Sequence, residues 1–203
     1  MKKTSKRKNQ GSGSVRIIAG NWRGSRLPIP DLPGLRPSGD RCREILFSWL
    51  QAHIRGAVCV DLFSGSGALG MEAASRGAAL VILIEKQRRA AEILQENATR
   101  LKAENTRIVA TDAIQWLHQC AAQSLDVAFI DPPFGLQLET RALELITSGD
   151  CIKSGGHVYL ETAATAAITV PGPAWEISRE KVLGEVRMLL LKKVGVILKA
   201  IDA

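Results

Sequence analysis

Four short apolar segments in the middle of the sequence each end at an acidic residue. These segments alternate with helix-forming stretches, which predicts a parallel sheet with right-handed crossovers and helices on both faces. The predicted elements are strand 58–61, helix 68–76, strand 80–85, helix 87–101, strand 107–111, helix 113–121 and strand 126–130. Because the carboxyl ends of parallel strands face one crevice, we expect the four acids to line one ligand site. These acids are Asp61, Glu85, Asp112 and Asp131.

A glycine-rich loop follows the first predicted strand. Gly65, Gly67 and Gly70 match the G-x-G-x-x-G pattern of dinucleotide-binding loops, and Glu85 lies 20 residues after the first of them. Asp61 argues against a pyrophosphate ligand, because like charges in a tight pocket cost free energy. A cationic ligand without phosphate fits better. S-adenosylmethionine carries a sulfonium and an ammonium group, and Glu85 could accept hydrogen bonds from its ribose hydroxyls. Asp112 could accept one from its adenine amino group.

The fourth predicted strand is followed by Asp131-Pro132-Pro133-Phe134. Two successive prolines cannot continue a strand or enter a helix interior, so the chain must turn here with a restricted geometry. The turn holds the Asp131 carboxylate and nearby carbonyls as acceptors and leaves the Phe134 ring free to stack. Acceptors beside an aromatic ring suit the exocyclic amino group of a nucleobase. The alternative is a tight turn whose aspartate caps the next helix.

The predicted elements outside this region extend the same pattern. We predict a lead-in helix over 40–54, a helix over 137–147 and a strand over 156–161. The runs 175–182 and 185–192 are separated by Leu183 and Gly184, which predicts an antiparallel hairpin. We therefore divide the chain into a basic tail, an N-terminal segment and one α/β domain. Their ranges are 1–13, 14–55 and 56–203.

Positive charge is concentrated at the start of the chain. The net charge is +7, yet residues 1–44 carry eleven Lys or Arg against three acids, and the remainder carries 16 against 17. Residues 1–13 are predicted to be a disordered tail, either simply solvated or in contact with nucleic acid. From Arg16 to Arg43 the arginines alternate with apolar and turn residues, which indicates an ordered module able to contact phosphates. For Trp22 we favour packing over base stacking. The candidate RNA contacts are Arg16, Arg23, Arg26, Arg36 and Arg41.

Composition argues against several other classes of protein. The 203 residues are 46% hydrophobic and 23% charged, as expected for one globular domain. No apolar run approaches the ~20 residues needed to span a membrane, and no signal peptide is recognisable, so we expect a cytoplasmic protein. The four cysteines include no C-x-x-C pair and are accompanied by three histidines. This pattern predicts reduced thiols and no metal site.

The sequence also resembles a known family over most of its length. It is similar to class I, Rossmann-like S-adenosylmethionine-dependent methyltransferases with the Asp-Pro-Pro-Phe motif of amino methylation. More narrowly, from about residue 14 to about 193, it resembles the RsmD family, which methylates a guanine N2 in bacterial 16S ribosomal RNA. The segments that carry this resemblance are RIIAGNWRG (16–24), LRP (35–37), DR (40–41), RE (43–44), DLFSGSGALG (61–70) and DPPF (131–134). The chain departs from the family pattern at Ser38, Gly39 and Cys42.

The resemblance implies a seven-stranded, mostly parallel sheet with one reversed strand near its edge. It further implies methylation of guanine 966, on an assembled or partly assembled small ribosomal subunit, by a monomer that needs no metal. The implied catalytic residues are Asp131, Pro132 and Phe134. The implied cofactor-binding residues are Asp61, Phe63, Ser64, Gly65, Gly67, Glu85, Asp112, Ala113 and Asp131.

A mechanism follows from the weak nucleophilicity of the guanine N2 amine, whose lone pair is delocalised into the ring. Hydrogen bonds from this amine to Asp131 and the Pro132 carbonyl would favour a more tetrahedral nitrogen and aim its lone pair at the methyl carbon. Positioning and electrostatics then supply most of the acceleration, without a strong base. Phe134 would clamp the base after it has left its stack.

Three other functions are compatible with parts of the sequence. A DNA adenine-N6 methyltransferase would use the same Asp-Pro-Pro-Phe chemistry. A nicotinamide-dependent oxidoreductase would explain the glycine loop but leaves Asp61 and the Asp-Pro-Pro-Phe motif unexplained. A non-catalytic RNA-binding module would need no cofactor. Glu161 is either a supporting group in the crevice or an ordinary strand-end charge, and His157 is interpreted as structural.

Overall fold

The computed structural model describes residues 13–29, 39–133 and 137–195. The predicted tail, except Gly13, and the predicted site residues Arg36 and Phe134 lie outside these ranges. The strands are β1 (Ser14–Arg16), β2 (Arg26–Pro28), β3 (Val58–Asp61), β4 (Leu80–Glu85), β5 (Thr106–Ala110), β6 (Leu125–Ile130), β7 (Ile152–Ala163), β8 (Trp175–Leu183) and β9 (Val186–Lys193). The helices are α1 (Asp40–Trp49), α2 (Ala68–Ser75), α3 (Arg88–Leu101), α4 (Ala113–Leu117) and α5 (Leu138–Ser148).

Seven of the strands form one twisted sheet. Their order is β5-β4-β3-β6-β7-β9-β8. Strand β9 runs antiparallel to both of its neighbours, whereas all the other pairs are parallel. This confirms the predicted Rossmann-like class I methyltransferase fold, with one reversed strand next to the edge. Strand β3 lies between β4 and β6, so its carboxyl end is flanked by the ends of both.

Each face of the sheet is covered by its own hydrophobic core. Alternate residues of a strand point to opposite faces. Cys59 and Phe129 therefore pack with α1, α2, α3 and the small β1–β2 hairpin, whereas Val60 and Ile130 pack with α4 and α5. Trp22 is half-buried against the first core, as the sequence favours.

A buried ionic network attaches the N-terminal segment to the first core. Glu72 in α2 accepts hydrogen bonds from the backbone N–H groups of Ile18 and Ala19, at 2.7 and 3.0 Å. The Arg43 side chain, fully buried, donates to the Arg16 carbonyl at 2.9 Å and lies 3.7 Å from Glu72. The hairpin is thereby held against α1 and α2 by specific polar contacts.

Most element boundaries lie within one residue of those predicted, but three elements differ more. Helix α1 ends at Trp49 rather than 54, because residues after Leu50 form successive turns. Helix α4 ends at Leu117 rather than 121, where the Gln119 and Cys120 N–H groups bond three residues back. Strand β7 begins at Ile152, which pairs with Leu125 ahead of a register shift.

Candidate active site

The four strand-end acids lie along one edge of the sheet. Asp61 and Glu85 are the last residues of β3 and β4, and Asp131 directly follows β6. Asp112 lies two residues after β5 and is the N-cap of α4. The sheet order places these strands side by side, so the four acids lie at the carboxyl edge of the sheet, where a ligand crevice is expected.

Two of these acids hold the glycine-rich loop through its backbone. Asp61 Oδ2 accepts from the Gly70 N–H at 2.9 Å, and Glu85 Oε2 accepts from the Gly65 N–H at 2.8 Å. Gly67 has φ +81°, and a Cβ there would come within 2.7 Å of Leu94. The glycines therefore allow a tight turn against the sheet, and the acids fix where that turn lies.

Asp61 is a buried carboxylate with other negative charges nearby. It is 1% exposed, and its Oδ1 atom has no hydrogen-bond partner among the described residues. Burial raises the pKa of Asp61 to about 7, and the nearby negative charges of Asp131 and Glu85 add to the effect. A cationic ligand would relieve this repulsion, whereas an anionic one would increase it. The site therefore fits S-adenosylmethionine better than a pyrophosphate.

Glu85 is suited to bind hydroxyl groups as well as the loop. Its second oxygen, Oε1, accepts from the Gln87 N–H at 2.7 Å, and the residue is 8% exposed. An ionised carboxylate has about four acceptor positions, so two backbone hydrogen bonds leave acceptor capacity for a ribose diol. The expected role of Glu85 thus remains compatible with its anchoring of the loop.

Asp112 makes hydrogen bonds and an ion pair within the protein that the sequence did not predict. Its Oδ1 accepts from the Ile114 N–H at 2.9 Å as an N-cap, and its Oδ2 lies 3.3 Å from Lys86 Nζ. Burial alone would raise the pKa of Asp112, but the N–H groups of Gln115 and Ile114 and the Lys86 ammonium lower it overall. A contact with an adenine amino group stays a prediction.

Asp131 lies among buried titratable groups that the sequence did not assign to the site. It is half-buried, followed by a buried Pro132. Its negative charge contributes to raising the pKa values of Glu161, Tyr159 and Cys42, although burial is the first cause for each. Tyr159 could have been noticed from sequence, because it is the only tyrosine and lies two residues before Glu161.

The N-terminal arginines differ in their surroundings. Arg16, Arg23, Arg26 and Arg41 are exposed, as expected for RNA contacts. Arg16 and Arg23 line a shallow cavity of about 190 Å³ together with Glu44. Arg43 is buried instead, where it pairs with Glu72.

The described residues contain no candidate metal site, no membrane-spanning helix and no disulfide. Within the described ranges, no group of three His, Cys, Asp or Glu residues could hold a metal ion. No helix in the same part of the chain is long and apolar enough to cross a membrane. Cys42, Cys59, Cys120 and Cys151 are free thiols.

Comparisons with known proteins identify close relatives over nearly the whole chain. Residues 15–192 match a family model described as "Conserved hypothetical protein 95". Ribosomal RNA small subunit methyltransferase D of Escherichia coli (strain K12) is 41% identical over 185 residues, which cover 91% of this chain and 93% of the relative. The protein of the same name from Haemophilus influenzae is 39% identical over 175 residues, covering 85% and 90%. The solved structure of yhhF from Escherichia coli superposes with a TM-score of 0.83 at 38% identity, covering 90% and 99%.

Proposed function

The chain belongs to the RsmD family of methyltransferases, and from this premise we propose that it methylates the exocyclic N2 of a guanine in bacterial 16S ribosomal RNA. The methyl donor is S-adenosylmethionine. By its resemblance to the family, we take the target to be guanine 966, on an assembled or partly assembled small subunit. The relatives' names support a ribosomal RNA substrate, and the choice of the guanine amino group rests on the Asp131 site.

One observation carries the proposal. Asp61 pairs with Phe129 of the neighbouring strand β6, and Asp131 lies two residues after Phe129, so the two carboxylates lie at the same edge of the sheet, and the charge of Asp131 adds to the rise in the pKa of Asp61. An acceptor for an amino group therefore lies beside a carboxylate suited to a cationic cofactor. Direct methyl transfer needs this juxtaposition, because the amine and the methyl carbon must meet in one geometry.

The cofactor is assigned to the loop between β3 and α2 and to the ends of β4 and β5. When bound, S-adenosylmethionine supplies an electrophilic methyl group on a sulfonium centre. Asp61 would face its positive charges, and Glu85 would accept hydrogen bonds from its ribose hydroxyls. The remaining proposed contacts are Phe63, Ser64, Gly65, Gly67, Asp112, Ala113 and Asp131.

The proposed chemistry at the amine needs acceptors rather than a strong base. Asp131 and the Pro132 carbonyl would accept the two N2 hydrogens and orient the nitrogen lone pair. Pro132 is buried, which keeps this part of the acceptor site in place. Phe134 would stack on the guanine, and the positive charge that develops on the nitrogen would be stabilised by Asp131.

The substrate would be held by the positive charge of the N-terminal segment. Arg16, Arg23, Arg26 and Arg41 are exposed on or beside the hairpin that Glu72 attaches to the domain. Guanidinium groups pair well with phosphates, so we assign these residues and Arg36 to the RNA backbone. The RNA would thereby be oriented, and the crevice would select the amino group.

Replacement of Asp131 tests the proposed chemistry. Asp131→Asn removes the negative charge but keeps the shape, so we expect kcat to fall at least about 100-fold, while affinity for S-adenosylmethionine, which keeps Asp61 and Glu85 among its proposed contacts, falls less than about tenfold. Single-turnover methyl transfer and calorimetric cofactor binding measure the two effects.

A matched control lies on the same strand. Asp126→Asn removes a carboxylate from the opposite end of β6, where it accepts from the Val58 N–H at 2.8 Å. This variant should lose some stability and keep its kcat. Near-normal kcat in Asp131→Asn would exclude the assigned role.

A further inference from the structure

Glu161 and Tyr159 form a buried polar pair at the carboxyl end of β7. Residues two apart on a strand point to the same face, so both side chains lie on the α1 side of the sheet. Glu161 is 5% exposed and Tyr159 is 1% exposed. The Tyr159 O–H donates to Glu161 Oε2 at 2.7 Å. This hydrogen bond fixes the orientation of a carboxyl group that the core would otherwise exclude.

The pair lies next to Asp131. Strands β6 and β7 are parallel, and Ile130 pairs with Leu160, so Asp131 and Glu161 follow at neighbouring positions. Adjacent strands are about 4.8 Å apart. Burial raises the pKa of Glu161 to about 7, and the charge of Asp131 is the second cause. The charge of Asp131 therefore affects the ionisation of Glu161.

The other groups around Glu161 do not neutralise it. On α1, burial raises the pKa of the Cys42 thiol, with Glu161 and Asp131 adding to the shift, so the thiol is uncharged at neutral pH. Arg41 lowers the pKa of Cys42 but makes no ion pair with Glu161 in the described structure. On β9, the residue opposite Glu161 is the apolar Met188. Among these described groups, Asp131 carries the charge that acts on Glu161 in addition to burial.

We propose that Glu161 is a positioning residue that acts through Asp131: when it ionises, its carboxyl group, oriented by Tyr159, places a second negative charge beside the acceptor of the amine. This inference rests on the proposed role of Asp131. As the amine nitrogen bonds to the methyl carbon, the sulfur–methyl bond breaks and the positive charge passes from sulfur to nitrogen, which then loses a proton to water; a second negative charge near the nitrogen therefore lowers the barrier. Protonated Glu161 is neutral and does not provide this stabilisation. The rate of methyl transfer therefore depends on the fraction of Glu161 that is ionised.

The pH dependence of single-turnover methyl transfer tests this role. In the wild type the rate rises with pH to a plateau, and a bound cationic cofactor sets the inflection at or below about pH 7. Glu161→Gln mimics the protonated form, so its rate should match the wild type within about twofold below the inflection and be at least about fivefold lower on the plateau. Tyr159→Phe removes a donor to the ionised carboxylate and should move the inflection to higher pH.

Thr162→Val is the matched control. Thr162 is the next residue of β7, is 1% exposed, and its Oγ1 has no hydrogen-bond partner among the described residues. Its side chain points to the other face of the sheet, so this variant should keep the wild-type pH profile. An unchanged profile in Glu161→Gln, or an equal loss at every pH together with a lower Tm, would overturn the inference.

The ionisation of Glu161 can also be measured without RNA, so this test does not depend on which substrate the protein methylates. The carbon-13 shift of the Glu161 carboxyl group, assigned by its absence in Glu161→Gln, should titrate near pH 7 in the cofactor-free protein. The midpoint should fall in Asp131→Asn, because a like charge is removed. A midpoint in the ordinary carboxyl range, or one unmoved by Asp131→Asn, overturns the role of Glu161. Failure to methylate ribosomal RNA would instead overturn the proposed function alone.

Discussion

At the scale of single residues, Asp61 distinguishes this glycine loop from one that binds a dinucleotide. Its Oδ1 atom is buried without a hydrogen-bond partner in the described structure, and Asp131 and Glu85 add negative charge nearby. A pyrophosphate would add to this repulsion, whereas a sulfonium or ammonium group would remove it. The same three glycines can therefore serve a different cofactor because of one carboxylate.

Asp61 should make cofactor binding depend on pH. Its pKa rises from the ordinary value of 3.8 to about 7 in the folded protein. Between these values the folded state holds a proton that the unfolded state releases, so Asp61 destabilises the cofactor-free fold increasingly as pH rises towards 7. A cation favours the ionised form. We therefore expect affinity for S-adenosylmethionine to fall below about pH 7, by up to about tenfold per pH unit.

Calorimetric titrations from pH 5.5 to 8, in buffers with different ionisation enthalpies, measure both the affinity and the release of the proton. In Asp61→Asn, binding should be weaker and nearly independent of pH. A wild-type dissociation constant that stays flat across this range would contradict the assignment of Asp61 to the cationic part of the cofactor.

The positions of the strand-end acids could be predicted from sequence, but their hydrogen-bond partners could not. Each acid ends an apolar run, so alternation and sheet topology suffice to bring Asp61, Glu85 and Asp131 together. The bonds from the Gly65 and Gln87 N–H groups to Glu85 depend on the path of two loops, which periodicity does not determine. For the same reason, the burial of Glu161 beside Tyr159 emerges only from the folded chain.

At the scale of secondary-structure elements, α2 connects the glycine-rich loop to the N-terminal hairpin. All eight of its residues are buried, including Glu72, which is 0% exposed. Glu72 accepts from Arg76 Nε at 2.7 Å in addition to the Ile18 and Ala19 N–H groups. The helix therefore follows the glycine-rich loop at one end and, further along, carries the attachment of the basic segment.

Loss of Glu72 should detach the hairpin. Glu72→Ala removes the acceptor for two backbone N–H groups and one of the two acids near the buried Arg43 guanidinium, leaving Asp40 at 2.6 Å, so we expect a loss of about 3–5 kcal/mol of stability. Denaturant unfolding measures that loss. Hydrogen exchange should show faster exchange at residues 14–28 than the global loss explains.

Glu92→Ala is the control for this prediction, because Glu92 pairs with Arg88 and Arg89 on the exposed side of α3. It should change stability by no more than about 0.5 kcal/mol. Equal effects of the two substitutions would contradict the structural role given to the buried network.

Boundaries of the central strands could be predicted closely, whereas the ends of α1 and α4 could not. Strands 58–61 and 80–85 are fully apolar up to an acid, and both are observed with those bounds. The sequence after Trp49 keeps an apolar residue at Ile54, so periodicity extends the predicted helix, although the chain has already entered turns. The glutamate inside the apolar stretch of α2, Glu72, is the sequence signal for the buried network.

At the scale of the whole molecule, the two faces of the sheet are covered by different parts of the chain. The hairpin, α1 and α2 occupy one face, and the exposed arginines of the hairpin lie on that side. Helices α4 and α5 close the other face with an apolar core. The exposed arginines Arg16, Arg23 and Arg26 therefore lie on the face whose carboxyl edge carries Asp131 and Glu161. This arrangement suits a substrate held by its phosphates while one base enters the crevice.

The central claim is that this crevice transfers a methyl group to the guanine N2 of 16S ribosomal RNA. Labelled S-adenosylmethionine should be offered with three acceptors side by side, with Asp131→Asn as the inactive control: small subunits lacking the modification, the same RNA stripped of protein, and duplex DNA. We predict label in ribosomal RNA, recovered as N2-methylguanine after nuclease digestion. Comparing the label in small subunits with that in the protein-free RNA shows whether bound proteins present the target. Label recovered from DNA as N6-methyladenine, with none in ribosomal RNA, would contradict the claim while leaving the fold and the amino-group chemistry in place.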